Sequence, residues 1–69
     1  MITEKIREFY SDEQVHTNTE AYEYLDAQTE EEQHTIRGIQ QALKKQNWLI
    51  NVGRGSWMIN PQRVLHVEL

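Results

Sequence analysis

A 69-residue chain without a single cysteine has no covalent staple and no thiolate for a metal or a nucleophile. A domain this small buries a modest share of its surface, so its stability margin is thin. Its core must come from a well-packed apolar set, or be completed by a partner. The 38% apolar content permits one core and one domain, residues 1–69. Apolar runs are only a few residues long, too short to span a bilayer. The start of the chain has no basic segment followed by an apolar stretch, so no signal peptide is expected and a cytoplasmic protein is.

Charge is divided unevenly. Residues 1–32 carry ten acids against two bases, and residues 33–69 carry five bases against one acid. The net charge of −4 argues against a generic nucleic-acid binder, while the asymmetry predicts one acidic and one basic side.

Helix signals dominate the first two thirds. Thr3 can cap a first helix, whose face is Ile2, Ile6, Phe9 and Tyr10. The pattern fades at Ser11-Asp12, and Val15 stands alone among polar residues, as a short strand or a loop contact. Thr17-Asn18-Thr19-Glu20 is a capping box, opening a short helix with Ala21, Tyr24 and Leu25 on one side and an end near Asp26. Thr29-Glu30-Glu31-Glu32 is a second capping box. Its carboxylates suit the positive end of a helix dipole, and Lys44 and Lys45 suit the negative end. A helix over about 30–47 follows.

In that helix Ile36, Ile39 and Leu43 recur at core spacing. The opposite face carries His34, Arg37, Gly38, Gln41 and Lys45, with Lys44 at its edge. Such side chains can bond base edges and phosphates, although a solvated outer face has a similar composition. Gly38 lowers helix propensity by roughly 1 kcal/mol relative to alanine. In exchange it lets another backbone come close.

The stretch NWLINVGRGSWMINP, residues 47–61, then changes period. Trp48, Ile50 and Val52 alternate with Leu49 and Asn51, and Trp57 and Ile59 alternate with Met58 and Asn60. Two alternating runs around Gly53-Arg54-Gly55-Ser56 predict a β-hairpin, with both glycines free to take positive φ. Val64, Leu65, Val67 and Leu69 are apolar and could add a strand, cap the core or meet a second copy in a homodimer.

Helix, short strand, helix, turn, longer helix and hairpin is an order that resembles a winged helix-turn-helix domain. The segment TIRGIQQALKKQNWLINVGRGSWMINP, residues 35–61, carries most of the likeness. Thr35-Ile36 is similar to the Thr-Val step that opens that family's recognition-helix core, and Leu43 to its late core leucine. Trp48-Leu49-Ile50 is similar to the step leading into the first wing strand, with Asn47 where glycine is common. Leu43-Lys44-Lys45-Gln46-Asn47-Trp48 and Trp57 through Pro61 also resemble the end of the C-terminal winged-helix module in phage and plasmid primase-helicases of the virulence-associated E type. The wing here is less basic than in that module. That likeness implies a piece of a replication protein.

The expected fold is therefore a small α+β winged helix: three helices followed by a β-hairpin wing, with a short strand near residue 15. The resemblance implies double-stranded DNA as partner, read by His34, Arg37, Gln41, Lys44, Lys45, Arg54 and Arg63. Arg54 at the wing tip suits a narrow minor groove or a phosphate, and the tryptophans would anchor the hairpin on the third helix. Glu30-Glu31-Glu32 near His34 reads as a helix cap before it reads as a metal site. No cofactor, metal or catalytic constellation is expected, and no enzyme. The alternative is a protein-interaction module that docks a basic partner on the acidic face of residues 1–32. Fold alone does not choose between them.

Overall fold

Two threonines set where the second and third helices begin. In the computed structural model, which describes residues 2–62, the Thr17 hydroxyl accepts the Glu20 N–H (3.2 Å) and the Glu20 carboxylate accepts the Thr17 N–H (2.7 Å). Thr29 and Glu32 repeat the arrangement at 3.2 and 3.1 Å. Both capping boxes read in the sequence are present. They open α2 (Asn18–Tyr24) and α3 (Glu30–Lys45), which follow α1 (Ile2–Tyr10). The first helix already includes Ile2, so Thr3 lies inside its first turn and does not cap it. Of the face expected for this helix, Ile6 and Tyr10 are buried and Phe9 packs at the margin, but Ile2 is 38% exposed.

The helices α2 and α3 stop in the same way, and neither uses glycine. Asp26 (φ 56°) and Asn47 (φ 63°) turn the backbone left-handed just past the ends. Ala27 N–H then reaches the Tyr22 carbonyl (2.8 Å), and Trp48 N–H reaches the Leu43 carbonyl (2.9 Å). These are Schellman closures, and they end α3 at Lys45, two residues before the boundary its periodicity suggested. Asparagine suits position 47 because it tolerates this conformation better than most residues with a Cβ.

The sheet is built from β1 (His16–Thr17), β2 (Leu49–Gly53) and β3 (Ser56–Ile59), in the order β1-β3-β2, all antiparallel. His16 pairs with Trp57 and Thr17 with Ser56. The short strand thus begins one residue after Val15, which is left 52% exposed. Asn51 pairs with Trp57 and Gly53 with Ser56, so Val52 is an extra residue in β2. This bulge breaks the alternation of Trp48, Ile50 and Val52. Leu49 is the residue of β2 that turns to the core, while Val52 is exposed.

The domain is a small α+β unit of three helices and a three-stranded antiparallel sheet, in the layout of a winged helix. One core cluster joins Ile6 and Tyr10 of α1, Ala21 of α2, Ala27 of the turn that follows it, Ile36 and Leu43 of α3, Leu49 of β2 and Trp57 of β3. Burying an aliphatic side chain such as Ile36 or Leu43 contributes about 1.5–3 kcal/mol. Ile39 is half-buried against the cluster. On α2 the expected trio divides: Ala21 is fully buried and Leu25 packs at the margin, but Tyr24 is 52% exposed. Its ring lies 4.7 Å from Phe9. Tyr22 takes its place against the core.

Trp57 is buried within the cluster, whereas Trp48 is half-buried at the exit of α3, with the Arg7 guanidinium 5.4 Å from its ring centre. The tryptophans therefore anchor the hairpin at different places, one in the core and one against α1. No described helix is long and apolar enough to cross a membrane. Arg63 and the apolar residues of 64–69, with their expected dimer contact, lie outside the described residues.

Candidate nucleic-acid interface

The hairpin closes through Arg54-Gly55, two residues between the paired Gly53 and Ser56. Only Gly55 of the two glycines is left-handed, at φ 68°; Gly53 ends β2 with an ordinary φ, because the bulge at Val52 absorbs the extra residue. The tip is tied from three sides. Asn51 Nδ2 donates to the carbonyls of Gly53 and Ser56, both at 2.8 Å. Asn18, the first residue of α2, donates its backbone N–H to the Gly55 carbonyl at 2.8 Å. Arg54 is exposed, on a backbone whose neighbours are fixed.

The outer face of α3 presents His34, Gly38, Gln41, Lys44 and Lys45 as exposed residues. A Cβ at Gly38 would meet nothing within 4 Å. No described residue outside the helix uses the close approach that this glycine allows. Arg37 is half-buried and partly committed, since its Nη1 donates to the Tyr22 hydroxyl at 3.0 Å. That bond aims the guanidinium along the α2 side of the helix.

Arg37 and Gln41 of α3 and Arg54 of the hairpin line one open cleft of about 360 Å³. Among the described residues its lining contains two arginines and no carboxylate. Of the seven residues singled out in the sequence, these three share the cleft. His34, Lys44 and Lys45 are on α3 outside its lining, and Arg63 is not described.

Five further residues line the cleft and were not anticipated there: Asn18, Gln40, Asn51, Gly55 and Trp57. Gln40 is fully buried, and its Nε2 donates to the Tyr10 hydroxyl at 3.0 Å. A signal for it existed. Ile36, Gln40 and Leu43 stand at i, i+4 and i+7, which is core spacing with a polar residue in the middle.

The acidic half has its own concavity, lined by Thr19, Tyr22, Glu23, Asp26 and Gln28 among others. Elsewhere the acids serve local structure. The Thr29 and Gln28 backbone N–H bonds hold the Glu32 carboxyl below its usual range, Thr29 first. The Gln14 N–H, and then His16 at 2.8 Å, do the same for Asp12. Glu32 is thus engaged in the cap of α3. Among the described residues no three His, Asp or Glu side chains come together as a metal site.

Compared with protein-family models, curated proteins and solved structures, the chain matches none.

Proposed function

We propose that the protein is a small winged-helix module that binds double-stranded DNA, with α3 in the major groove and the hairpin tip against the backbone or minor groove. The reading rests on one observation: Arg37 and Gln41 of α3 and Arg54 of the hairpin line a single cleft that holds no carboxylate among the described residues. His34, Lys44 and Lys45 extend that surface along the helix, and open Gly38 lets a sugar-phosphate backbone approach. A rigid tip keeps Arg54 at a fixed offset from the helix, so helix and hairpin act on the duplex together. The likeness of residues 43–48 and 57–61 to primase-helicase modules supports a place in phage or plasmid replication or transcription.

With few bases and a net charge of −4, one copy binds weakly and with strong dependence on salt. Fluorescence anisotropy of a labelled random duplex, at low and moderate salt, tests the reading. The expected result is binding that fades as salt rises, with a log–log salt slope that becomes shallower by about one in Arg54→Ala, the loss of one phosphate contact. No binding at about 100 μM, the weak end of non-specific affinity, overturns it.

The second reading is a protein-interaction module. The groove of Tyr22, Glu23 and Asp26 favours it, since an aromatic ring beside two carboxylates suits a basic peptide. Glu23→Gln with Asp26→Asn abolishes function under this reading and leaves DNA binding unchanged.

A further inference from the structure

Among the described residues, three buried side-chain atoms have no hydrogen-bond partner: Asn18 Oδ1, Gln40 Oε1 and Trp57 Nε1. Native interiors hold few such atoms, and here all three belong to residues lining the cleft of Arg37, Gln41 and Arg54. Gln40 is fully buried and Trp57 is 5% exposed. The bond to Tyr10 occupies the Gln40 amide nitrogen and leaves its oxygen unused. The backbone of Asn18 is engaged with Gly55, and its side-chain oxygen is not.

The floor of the cleft therefore offers two acceptors and one donor, beneath a rim with two guanidinium groups. A complement must carry two donors, one acceptor and negative charge. A bare oxyanion meets the indole N–H and the arginines but sets its lone pairs against two amide oxygens. A nucleotide supplies both parts, and the bases differ in their Watson–Crick edges. Adenine and cytosine each present one amino donor group, and uracil and thymine present a single N–H between two oxygens. Guanine alone presents O6 as acceptor beside N1–H and N2–H as donors.

We infer that the cleft takes a guanine nucleotide with an unpaired base, O6 toward Trp57 Nε1, the N1–H and N2–H toward Gln40 and Asn18, and the phosphate toward Arg37 and Arg54. The cleft volume of about 360 Å³ lies within the range of small-molecule sites. The three floor atoms lie beneath the present surface, so the base reaches them only after side chains of the cleft rearrange. The ligand is a free mononucleotide or an unpaired residue of a single strand. This site does not require duplex binding, but it shares Arg37, Gln41 and Arg54 with the proposed duplex surface, so a bound nucleotide competes with duplex.

The test is a titration of the isotope-labelled full chain with GMP, AMP, CMP and UMP, followed by NMR. The Trp57 indole N–H peak is assigned by its loss in Trp57→Phe. GMP is expected to move that peak and the Asn18 and Gln40 side-chain amides saturably, with each other nucleotide about tenfold weaker or more. Arg54→Ala, at the exposed tip, weakens GMP about tenfold, and guanosine binds more weakly than GMP. Asn18→Ala keeps the bond from its backbone to Gly55 and narrows the preference for GMP over AMP. A short oligo-dG single strand that binds far tighter than GMP assigns the source to a strand, and equal affinity assigns it to the free nucleotide. Equal shifts from all four nucleotides overturn the inference in favour of a phosphate site. A Trp57 peak that stays still under GMP and oligo-dG overturns it outright. Duplex binding without a GMP response removes this inference alone, and a GMP response without duplex binding removes the proposed function alone.

Discussion

Removing the Tyr10 hydroxyl is expected to destabilise the fold more than removing the hydroxyl and its partner together. Tyr10 and Gln40 are both fully buried, and the 3.0 Å bond between them joins α1 to α3 through side chains in the core. Tyr10→Phe leaves the Gln40 NH₂ without an acceptor in a dry interior, which costs about 1–3 kcal/mol. In a domain of this size, about 2 kcal/mol lowers Tm by roughly 8–16 °C. Gln40→Leu strands the tyrosine hydroxyl instead, but it also removes the unpartnered Gln40 oxygen, so its cost falls at about 1 kcal/mol. In the double variant no stranded group remains, and the pair becomes an apolar contact of similar shape. Its stability should lie close to that of the parent, giving a coupling of about 2–4 kcal/mol. Urea unfolding followed by tryptophan fluorescence measures all four corners of the cycle. The alkaline limb gives a second readout. Burial pushes the Tyr10 phenol above its ordinary value of 10.0, so above that pH the unfolded chain releases this proton while the folded chain keeps it. Stability then falls as pH rises, and Tyr10→Phe flattens that fall. Additive losses in the cycle, with an unchanged alkaline limb, would refute the role given to this bond.

Gly38→Ala should stabilise the domain by about 1 kcal/mol in thermal unfolding, because its Cβ meets nothing within 4 Å and the helix gains propensity. The same variant should weaken duplex binding, the signature of a glycine retained for close approach. Gly55→Ala should destabilise by about 1–2 kcal/mol, because its φ of 68° is unfavourable for a residue with a Cβ. Its Cβ would lie 3.6 Å from Asn18 Nδ2, an ordinary contact, so strain and not collision is what a chemical unfolding curve will record. Glu32 and Asp12 titrate below their ordinary values of 4.5 and 3.8, so their contribution is present above those values and is lost as pH falls below them. Circular dichroism of Glu32→Ala should show lower stability at neutral pH and a shallower acid limb.

The helices were legible because their start signals are local. A threonine and a glutamate three residues later decide a cap with no help from the rest of the chain, and both boxes formed at the predicted residues. The hairpin was legible for a similar reason, through its alternation and its Arg54-Gly55 turn. The faces of β2 were not, because alternation alone does not say whether Leu49 or Ile50 turns inward, and the bulge at Val52 depends on cross-strand pairing that no local pattern records. Tyr24 looked like a core residue by spacing, yet Tyr22 took the inner position, since the Arg37 bond to its hydroxyl comes from another helix. The candidate surface was half legible. Arg37, Gln41 and Arg54 stand out as polar or charged residues on an α3 face and a tip. Gln40 was hidden because one polar residue at core spacing shows its meaning only when its partner, Tyr10, is found thirty positions away.

The tie between the start of α2 and the hairpin tip also orders events in folding. The capped helices and the hairpin each close over short spans, which is quick. His16 with Trp57, and Asn18 with Gly55, close over most of the chain for a strand of two residues, so they carry the largest loop-closure entropy for the smallest local return. This closure therefore comes late in folding and opens early when the native state fluctuates. The cleft has Asn18 on one side and Arg54-Gly55 on the other, so it exists only while that closure holds. Its lifetime is set by how often two residues of β1 let go, a rate that hydrogen exchange at the Asn18 amide reports directly.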